Sequence, residues 1–273
     1  MNVAQAIQEA TQRLSATSDT ARLDAEVLMA HCLRVSRSKM LVELMRETAP
    51  GAFGELVERR QMHEPVAYIT GVQEFFGHEF AVERGILIPR SDSETLVDAA
   101  LELSAAPARI LDLGTGSGAL MISVLAQRPG ARGIGIDASP KAVAIAQRNA
   151  ARLGVSDASE FRLCDWCDPG WSDDLGVFDL ILCNPPYVEE DAELAPDVRD
   201  FEPAAALFAG AQGLDDYRKL IPQLRSLMTP SALALLEIGA TQAASVRELA
   251  EKAGFVSAVR HDLANRPRAL ILS

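Results

Sequence analysis

Four consecutive residues have the chemistry needed to hold a planar –NH₂ group: Asn184, Pro185, Pro186 and Tyr187. They follow the apolar run 178–183, which predicts a buried strand, so they fall where a parallel strand ends at a ligand crevice. The prolines stiffen the turn, Asn184 adds a side-chain carbonyl oxygen, and Tyr187 adds a flat apolar face. We therefore predict a site whose carbonyl oxygens accept both hydrogens of the group. A strand that ends in an ordinary proline turn is the alternative.

A glycine-rich turn lies upstream, after the predicted strand 109–113. Gly114, Gly116 and Gly118 have the spacing G-x-G-x-G, and a helical pattern follows over residues 119–127. Glycines at such a bend let the backbone approach a ligand at the helix N-terminus. The spacing differs from the dinucleotide fingerprint G-x-G-x-x-G, which argues against a nicotinamide-dependent oxidoreductase.

Acidic residues end the next two predicted strands. Asp137 closes the strand 133–137, about 20 residues after the glycine turn, a position suited to binding a ribose diol. Ser139 and Pro140 then predict the start of a helix. Asp165 and Trp166 follow the strand 160–163. The order of these motifs predicts a nucleoside-type cofactor at the carboxyl edge of a parallel sheet.

Composition limits the class of protein. The 273 residues suit one or two domains, and 38 acidic against 26 basic residues give a net charge of −12. This charge argues against a surface that follows phosphates, and it suits either a basic protein partner or solubility alone. No signal peptide, membrane span or metal site is expected, because the pair Cys164 and Cys167 lacks further ligands. We expect a cytoplasmic protein with reduced cysteines.

The elements that must position these residues change along the chain. Residues up to about 64 have helical periodicity, with Asp19 expected to cap one helix. Residues 68–88 predict short strands with glycine turns, and strands and helices alternate from Ser91 onward. The polar stretch 188–213 is expected to close over a substrate, and residues 255–260 and 269–272 to form the last strand pair.

The motifs in this order resemble the class I S-adenosylmethionine-dependent methyltransferases that act on amino groups. Segments 64–71, 74–77, 87–90 and 199–203, outside those motifs, extend the likeness over nearly the whole chain to the HemK-type release-factor glutamine N5-methyltransferases. Ser91 and Ser93 stand where that family more often has Pro and Thr. Ser91 and Glu94 predict a capping box, which would keep the helix start.

The resemblance implies an α/β fold with a Rossmann-like doubly wound sheet, preceded by a small helical domain and a β-hairpin. It implies a helical substrate-recognition domain over 1–66, a hairpin linker over 67–90 and a methyltransferase domain over 91–273. The implied reaction moves a methyl group from S-adenosyl-L-methionine to the side-chain amide nitrogen of the glutamine in the Gly-Gly-Gln motif. The implied protein substrates are class 1 peptide chain release factors. We expect a monomer that binds neither nucleic acid nor membrane.

The resemblance also implies roles for individual residues. The implied catalytic residues are Asn184, Pro185, Pro186 and Tyr187. The implied cofactor-binding residues are Asp112, Gly114, Thr115, Gly116, Ser117, Gly118, Asp137, Asp165, Trp166 and Asn184. The implied substrate-binding residues are the catalytic four with Phe75, Phe76, Pro89 and Arg90, although the two phenylalanines also suit a plain hairpin core.

Other functions stay open at this point. A glutamine methyltransferase for a ribosomal protein would need the same site. An adenine or guanine amino-methyltransferase would use the same turn on a flipped base, but it should carry a basic face. A silent S-adenosylmethionine-binding scaffold is a third possibility, and the intact Asn184 argues against it.

Overall fold

The computed structural model describes residues 1–104 and 106–273. They form two units: Met1–Val72 with Leu194–Phe201, and Gln73–Glu193 with Glu202–Ser273. The first unit is helical, in agreement with its periodicity. Its helices up to the linker are α1 (Val3–Leu14), α2 (Ala21–Leu33), α3 (Arg37–Lys39), the π-helical turn Met40–Leu44, α4 (Phe53–Gln61) and α5 (Val66–Thr70).

Helix ends in the first unit show which local predictions hold. α1 begins with a capping box, in which Asn2 accepts from the Gln5 N–H and Gln5 accepts from the Asn2 N–H. The predicted cap Asp19 is wrong, because the N-cap of α2 is Thr20. The Thr20 hydroxyl donates to Asp24, a buried carboxylate that also pairs with Arg60. Asp24 in the first turn of α2 therefore has partners both at the cap and in α4.

A β-hairpin begins the second unit, but it is shorter than predicted, because residues 66–70 are helical. Its strands are β1 (Val72–Phe75) and β2 (His78–Ala81). Phe76 and Gly77 between them both have positive φ angles, 50° and 73°, as in a two-residue type I′ turn. Phe75 and Phe80 pack edge to face with ring centroids 6.0 Å apart.

A seven-stranded sheet forms the centre of the second unit, in the order β5-β4-β3-β6-β7-β9-β8. Its strands are β3 (Arg109–Leu113), β4 (Arg132–Asp137), β5 (Ser159–Leu163), β6 (Phe178–Cys183), β7 (Met228–Glu237), β8 (Ser257–His261) and β9 (Pro267–Leu272). β3 to β7 pair in parallel, and β9 is antiparallel to β7 and β8. The doubly wound sheet and the final strand pair are therefore confirmed.

Helices alternate with these strands. They are α6 (Glu94–Leu103), α7 (Ala119–Gln127), α8 (Pro140–Arg152), α9 (Pro196–Arg199, in the first unit), α10 (Asp215–Leu224) and α11 (Ala243–Lys252). Shorter 3₁₀ turns are Ser91–Ser93, Ser156–Ala158, Ala204–Ala206 and Arg225–Leu227. α7 has its predicted bounds, and Ser139 caps α8 as predicted. Within the described ranges, no helix is both long enough and apolar enough to cross a bilayer.

The predicted capping box at Ser91 and Glu94 does not form, although the helix starts there. Neither the 3₁₀ turn nor α6 has a side-chain cap. Glu94 Oε1 instead accepts a hydrogen bond from the Phe76 N–H at 2.8 Å. The carboxylate thus holds the hairpin turn in its strained conformation, a use that depends on tertiary structure.

Strand register brings the candidate residues together. Leu113 at the end of β3 lies beside Ile136 of β4 and Cys183 of β6. The next residues in the three chain segments are Gly114, Asp137 and Asn184. The order of the strands reverses on either side of β3, so this edge is the topological switch point where open α/β sheets bind ligands.

Candidate active site

A cavity of about 510 Å³ opens at this edge within the second unit, a size suited to a small-molecule ligand. Most of the residues predicted for the site line it: Phe75, Pro89, Gly114, Thr115, Gly116, Ser117, Asp137, Asp165, Trp166, Asn184 and Pro186. The other predicted residues are not among those that line it: Phe76, Arg90, Asp112, Gly118, Pro185 and Tyr187. The structure thus brings the glycine turn, the acidic strand ends and two residues of the Asn-Pro-Pro-Tyr turn, Asn184 and Pro186, to one cavity.

Two residues of the glycine turn, Gly114 and Gly116, line this cavity. Gly114, Gly116 and Gly118 have φ angles of 68°, 57° and 81°, which side chains rarely adopt. A Cβ on Gly118 would lie 2.6 Å from the Ile122 side chain of α7 and 3.3 Å from the Ala146 Cβ of α8, so glycine leaves room for both helices here. A Cβ on Gly116 would meet no atom closer than 4.0 Å, which leaves room for a ligand against the backbone.

Asp137 faces the cavity and stabilises the glycine turn at the same time. Its Oδ2 accepts from the Gly116 N–H and its Oδ1 from the Ser139 N–H, both at 2.9 Å. Burial raises the pKa of Asp137, and these two backbone hydrogen bonds oppose the rise. Each carboxylate oxygen keeps a further lone pair, so the group can still accept hydrogen bonds from hydroxyls.

Asp112 lies beneath the turn and is only 1% exposed. Its Oδ2 accepts from the Thr115 hydroxyl at 2.6 Å, and its Oδ1 has no hydrogen-bond partner within residues 1–104 and 106–273. Burial raises the pKa of Asp112 to about 7, against hydrogen bonds from Thr115 and the Met121 backbone and with a further rise caused by Asp137. Its contact with a methionyl amino group stays a prediction.

Trp166 forms one wall of the cavity. Its indole N–H donates to Asp216 Oδ1 at 3.1 Å, and its ring lies 3.1 Å from where a Cβ of Gly114 would stand. Asp165 Oδ1 accepts from the Cys167 N–H at 2.8 Å, which keeps the loop after β5 turned toward the cavity. Asp216 lines the same cavity, and the sequence analysis did not identify it.

Three hydrogen bonds fix Tyr187 at the end of the Asn-Pro-Pro-Tyr turn. Its N–H donates to the Leu207 carbonyl at 3.1 Å, and its carbonyl accepts from the Gln242 side chain at 2.9 Å. Its hydroxyl donates to Glu237 Oε1 at 3.1 Å. Burial, followed by the negative charge of Glu237, raises the pKa of Tyr187 well above its ordinary value. Tyr187 therefore keeps its proton at neutral pH.

Asn184 lines the cavity at the start of the turn, after the last residue of β6. Its Nδ2 points to Ser93 Oγ at a donor-to-acceptor distance of 3.4 Å. Ser93 is 4% exposed and belongs to the 3₁₀ turn before α6. The amide nitrogen of Asn184 is thereby directed to Ser93.

The segment before α6 is held by Glu202. The carboxylate of Glu202 accepts from the Ile88 N–H at 3.1 Å and pairs with Arg90, which also donates to the Ile88 carbonyl at 3.0 Å. Arg90 is thus used in an internal ion pair. Pro89 between these residues lines the cavity. Roles for Pro89 and Arg90 in binding substrate stay predictions.

Sequence reasoning missed several residues that contact the site: Ser93, Ser139 and Asp216, which line the cavity, and Glu202 and Glu237, which bind residues that line it or lie beside it. Ser139 was identified only as a helix cap, and Ser93 only as a departure from a family pattern. The acidic end of the apolar strand β7 was the available signal for Glu237, because a carboxylate at the carboxyl end of a parallel strand lies at the binding edge.

Known proteins resemble the chain in both of its parts. A sequence model described as the PrmC N-terminal domain matches residues 5–71, and one described as a methyltransferase domain matches residues 105–257. A release factor glutamine methyltransferase of Cereibacter sphaeroides is 41% identical over 276 residues, which cover 98% of this chain and 97% of the relative. A protein of the same name from Rhodospirillum rubrum is 40% identical, over 92% of this chain and 78% of its own.

Solved structures share the fold over part of the chain. A methyltransferase from Pyrococcus furiosus superposes with a TM-score of 0.53 at 17% identity, over 72% of this chain and 89% of its own. A ribosomal protein L11 methylase from Lactobacillus delbrueckii subsp. bulgaricus has a TM-score of 0.50 at 22% identity, over 70% and 83% of the two chains. At these identities the likeness concerns the fold alone.

Proposed function

This chain belongs to the release factor glutamine methyltransferase family, and on that premise we propose that it methylates N5 of the glutamine in the Gly-Gly-Gln motif of class 1 peptide chain release factors. It is an S-adenosyl-L-methionine-dependent methyltransferase with a class I fold. The observation that supports the proposal most is that Asn184 and Asp137 line one cavity. The Asn184 side chain can accept hydrogen bonds from a substrate amide, and the Asp137 carboxylate can accept them from the ribose hydroxyls of a nucleoside cofactor in the same cavity.

The residues of the cavity fit S-adenosylmethionine. Gly116 leaves open space above its backbone, and the Asp137 carboxylate keeps acceptor capacity toward the cavity. We assign the ribose hydroxyls to Asp137, the adenine to Asp165 and Trp166, and the methionyl end to residues 114–118 with Asp112. When bound, the cofactor supplies an electrophilic methyl group.

The substrate amide is a poor nucleophile, because its nitrogen lone pair is delocalised into the carbonyl. We assign its two hydrogens to Asn184 Oδ1 and the Pro185 carbonyl. Both acceptors place negative potential at the nitrogen, which becomes positive as the new bond forms. The hydrogen bonds therefore strengthen in the transition state, which is the condition for raising kcat. Orientation alone can contribute on the order of 7 kcal/mol in favourable cases.

A strong general base is not required, because the extra proton can leave the nitrogen after methyl transfer. Tyr187 is protonated, and we assign to it a packing contact with the planar amide. Its three anchoring hydrogen bonds keep the turn in one position, so little order is lost when the substrate binds.

We propose that residues 1–66 recognise the release factor, that 67–90 connect the two functions, and that 91–273 perform the chemistry. We propose that the enzyme acts as a monomer. We also propose that the enzyme works in the cytoplasm, beside its translational substrates, and that it does not bind nucleic acid directly. Its net charge of −12 supports the last point.

The test is methyl transfer from labelled S-adenosylmethionine to three substrates in parallel: a purified class 1 release factor, ribosomal proteins and an adenine- and guanine-containing nucleic acid. Asn184→Ala serves as the blank. We expect incorporation into the release factor alone. Faster incorporation into ribosomal proteins or nucleic acid would overturn the assignment of the substrate.

A further inference from the structure

Asp216 brings a carboxylate from helix α10 to the cavity. It lies in the first turn of α10, lines the cavity and has a side chain that is 13% exposed. Its Oδ1 accepts from the indole N–H of Trp166 at 3.1 Å. Lys219 Nζ lies 3.7 Å from the same oxygen, but the Lys219 side chain is 51% exposed, and an exposed ammonium adds little at this distance. The indole is therefore the main partner of this oxygen.

Two contacts at opposite ends fix the Trp166 ring. Atoms Cη2 and Cζ3 of its six-membered ring lie 3.1 Å from where a Cβ of Gly114 would stand, so this end packs against the glycine turn. The N–H of its five-membered ring is bound by Asp216. A partly buried tryptophan needs a partner for this N–H, and Asp216 supplies it. The ring cannot turn about its bond to Cβ without breaking one of the two contacts.

We propose that Asp216 is a positioning residue for the cofactor, whose carboxylate fixes the Trp166 ring as the flat wall on which the adenine of S-adenosylmethionine stacks. The inference rests on the proposed assignment of the adenine to Trp166, and it adds α10 to the cofactor site. Stacking requires the aromatic ring to lie parallel to the base at contact distance, so a ring that is free to turn binds the base less tightly. Asp216 thus acts on affinity for the nucleoside part of the cofactor.

Direct attraction between the Asp216 carboxylate and the positive sulfonium of S-adenosylmethionine is the alternative, and charge separates the two mechanisms. The product S-adenosylhomocysteine has the same adenine and no sulfonium charge. Loss of the ring orientation weakens both ligands equally, whereas loss of the attraction weakens S-adenosylmethionine alone. Asp216→Asn removes the charge and keeps an acceptor oxygen for the indole N–H.

The test is calorimetric measurement of both dissociation constants. We expect Asp216→Ala to raise them about 5- to 10-fold, equally for the two ligands, with kcat at saturating cofactor unchanged. Asp216→Asn should retain most of the affinity, and Trp166→Ala should lose at least as much as Asp216→Ala. Unchanged dissociation constants in Asp216→Ala, or a loss confined to S-adenosylmethionine, overturn the proposal.

The second of the two tryptophans of the chain provides a matched control. The indole N–H of Trp171 donates to Gln223 Oε1 at 2.8 Å, and Gln223 lies on the same helix as Asp216. Trp171 is not among the residues that line the cavity. Gln223→Ala thus frees an indole of the same kind from the same helix, and both dissociation constants should stay unchanged. A loss equal to that of Asp216→Ala would assign the effect to α10 as a whole and overturn the proposal.

A measurement without ligand tests the hydrogen bond itself. In cofactor-free protein, NMR resolves the indole N–H resonances of the two tryptophans, and Trp166→Phe and Trp171→Phe assign them. Asp216→Ala should shift the Trp166 resonance and speed its exchange with solvent, and Gln223→Ala should do the same to Trp171 alone. An unmoved Trp166 resonance in Asp216→Ala would overturn the proposal.

These measurements also separate the inference from the proposals on which it depends. Unchanged affinity for both ligands in Trp166→Ala would refute the adenine assignment and this inference with it. An unaltered enzyme that methylates no release factor would refute the proposed substrate, and the ligand affinities and indole resonances would still decide the role of Asp216.

Discussion

Two carboxylates near the glycine turn, one buried and one partly buried, differ in what their surroundings let them do. Asp137 faces the cavity and has two backbone donors, whereas Asp112 lies beneath the turn and has one oxygen without a partner in the described chain. Burial raises the pKa of both. Because one oxygen of Asp112 has no partner, its ionised form lowers the stability of the folded protein at neutral pH. Asp137 faces the cavity, so we expect it to bind the cofactor.

Asp112→Asn should change how stability depends on pH. The pKa of Asp112 is about 7 in the folded protein, against about 4 in an unfolded chain. Between these values the unfolded chain releases the proton while the folded protein keeps it, so the free energy of unfolding falls as pH rises, by up to about 1.4 kcal/mol per pH unit.

Urea unfolding without cofactor, at pH values between about 4 and 8, should therefore show the variant gaining stability relative to the unaltered protein up to about pH 7 and no further. Asp157→Asn, at an exposed position, is the control. A stability difference that does not vary with pH would mean that the pKa of Asp112 is the same in the folded and the unfolded protein.

Asp137→Ala and Asn184→Ala should separate binding from chemistry. Loss of charge-assisted hydrogen bonds to a ribose, each worth roughly 1.5–3 kcal/mol, should weaken S-adenosylmethionine binding about 10-fold or more in Asp137→Ala. Asn184→Ala should lower kcat on the order of 100-fold and change cofactor affinity little. Calorimetry and steady-state kinetics on both variants give the two patterns. Near-normal turnover in Asn184→Ala would mean that the amide is activated elsewhere.

At the scale of elements, local sequence signals predicted the parts of the fold that depend on local physics. Periodicity, caps and glycine spacing predict the bounds of α7 and the Ser139 cap. They also predict where three strands end, next to Gly114, Asp137 and Asn184. The contacts of Glu94, Ser93 and Glu237 could not be predicted, because their partners come from distant segments. A side chain that could cap its own helix can instead bond to a distant residue, as the Glu94 carboxylate does by accepting from the Phe76 N–H.

Gly213→Ala tests how the loop after the Asn-Pro-Pro-Tyr turn is anchored. Its added Cβ would lie 2.2 Å from the Tyr187 carbonyl oxygen, at a φ of 63°. The matched control is Gly154→Ala, with a φ of 73° and no atom within 4 Å. The control should lose only the cost of backbone strain, about 1–2 kcal/mol.

Gly213→Ala should lose more stability than the control and also lower kcat, since Tyr187 must shift. Thermal unfolding and steady-state kinetics compare the two. Equal losses of stability with equal kcat values would show that Tyr187 tolerates the displacement.

At the scale of the whole molecule, one segment that follows the Asn-Pro-Pro-Tyr turn in sequence is part of the helical unit. Residues 194–201 follow the Asn-Pro-Pro-Tyr turn in sequence but belong to the first unit. Arg60 in that unit, 7% exposed, pairs with Asp24 at 2.7 Å and approaches Asp197 Oδ2 at 3.6 Å. If the helices bind the substrate as proposed, only residues 188–193 separate their segment 194–201 from the Asn-Pro-Pro-Tyr turn in sequence.

Asp197→Asn should weaken methylation of the intact release factor selectively. Arg60 keeps its pair with Asp24, so no buried charge is left alone. A partly exposed ion pair is worth up to about 1 kcal/mol, so we expect kcat/KM to fall about 2- to 5-fold. Asp191→Asn, with the same charge change at an exposed position, is the control. A short Gly-Gly-Gln peptide should react slowly with all three proteins, and an equal loss with peptide and intact factor would exclude a role in recognition.

The central claim is that the Asn-Pro-Pro-Tyr turn presents one glutamine side-chain amide of a release factor for methylation. The measurement that tests it most directly is peptide mapping by tandem mass spectrometry of a class 1 release factor methylated by the unaltered enzyme. Our account predicts one added methyl group on the side-chain nitrogen of the Gly-Gly-Gln glutamine, formed on the order of 100-fold more slowly by Asn184→Ala. A methyl group on another residue, or the same modification by Asn184→Ala at an undiminished rate, would contradict it.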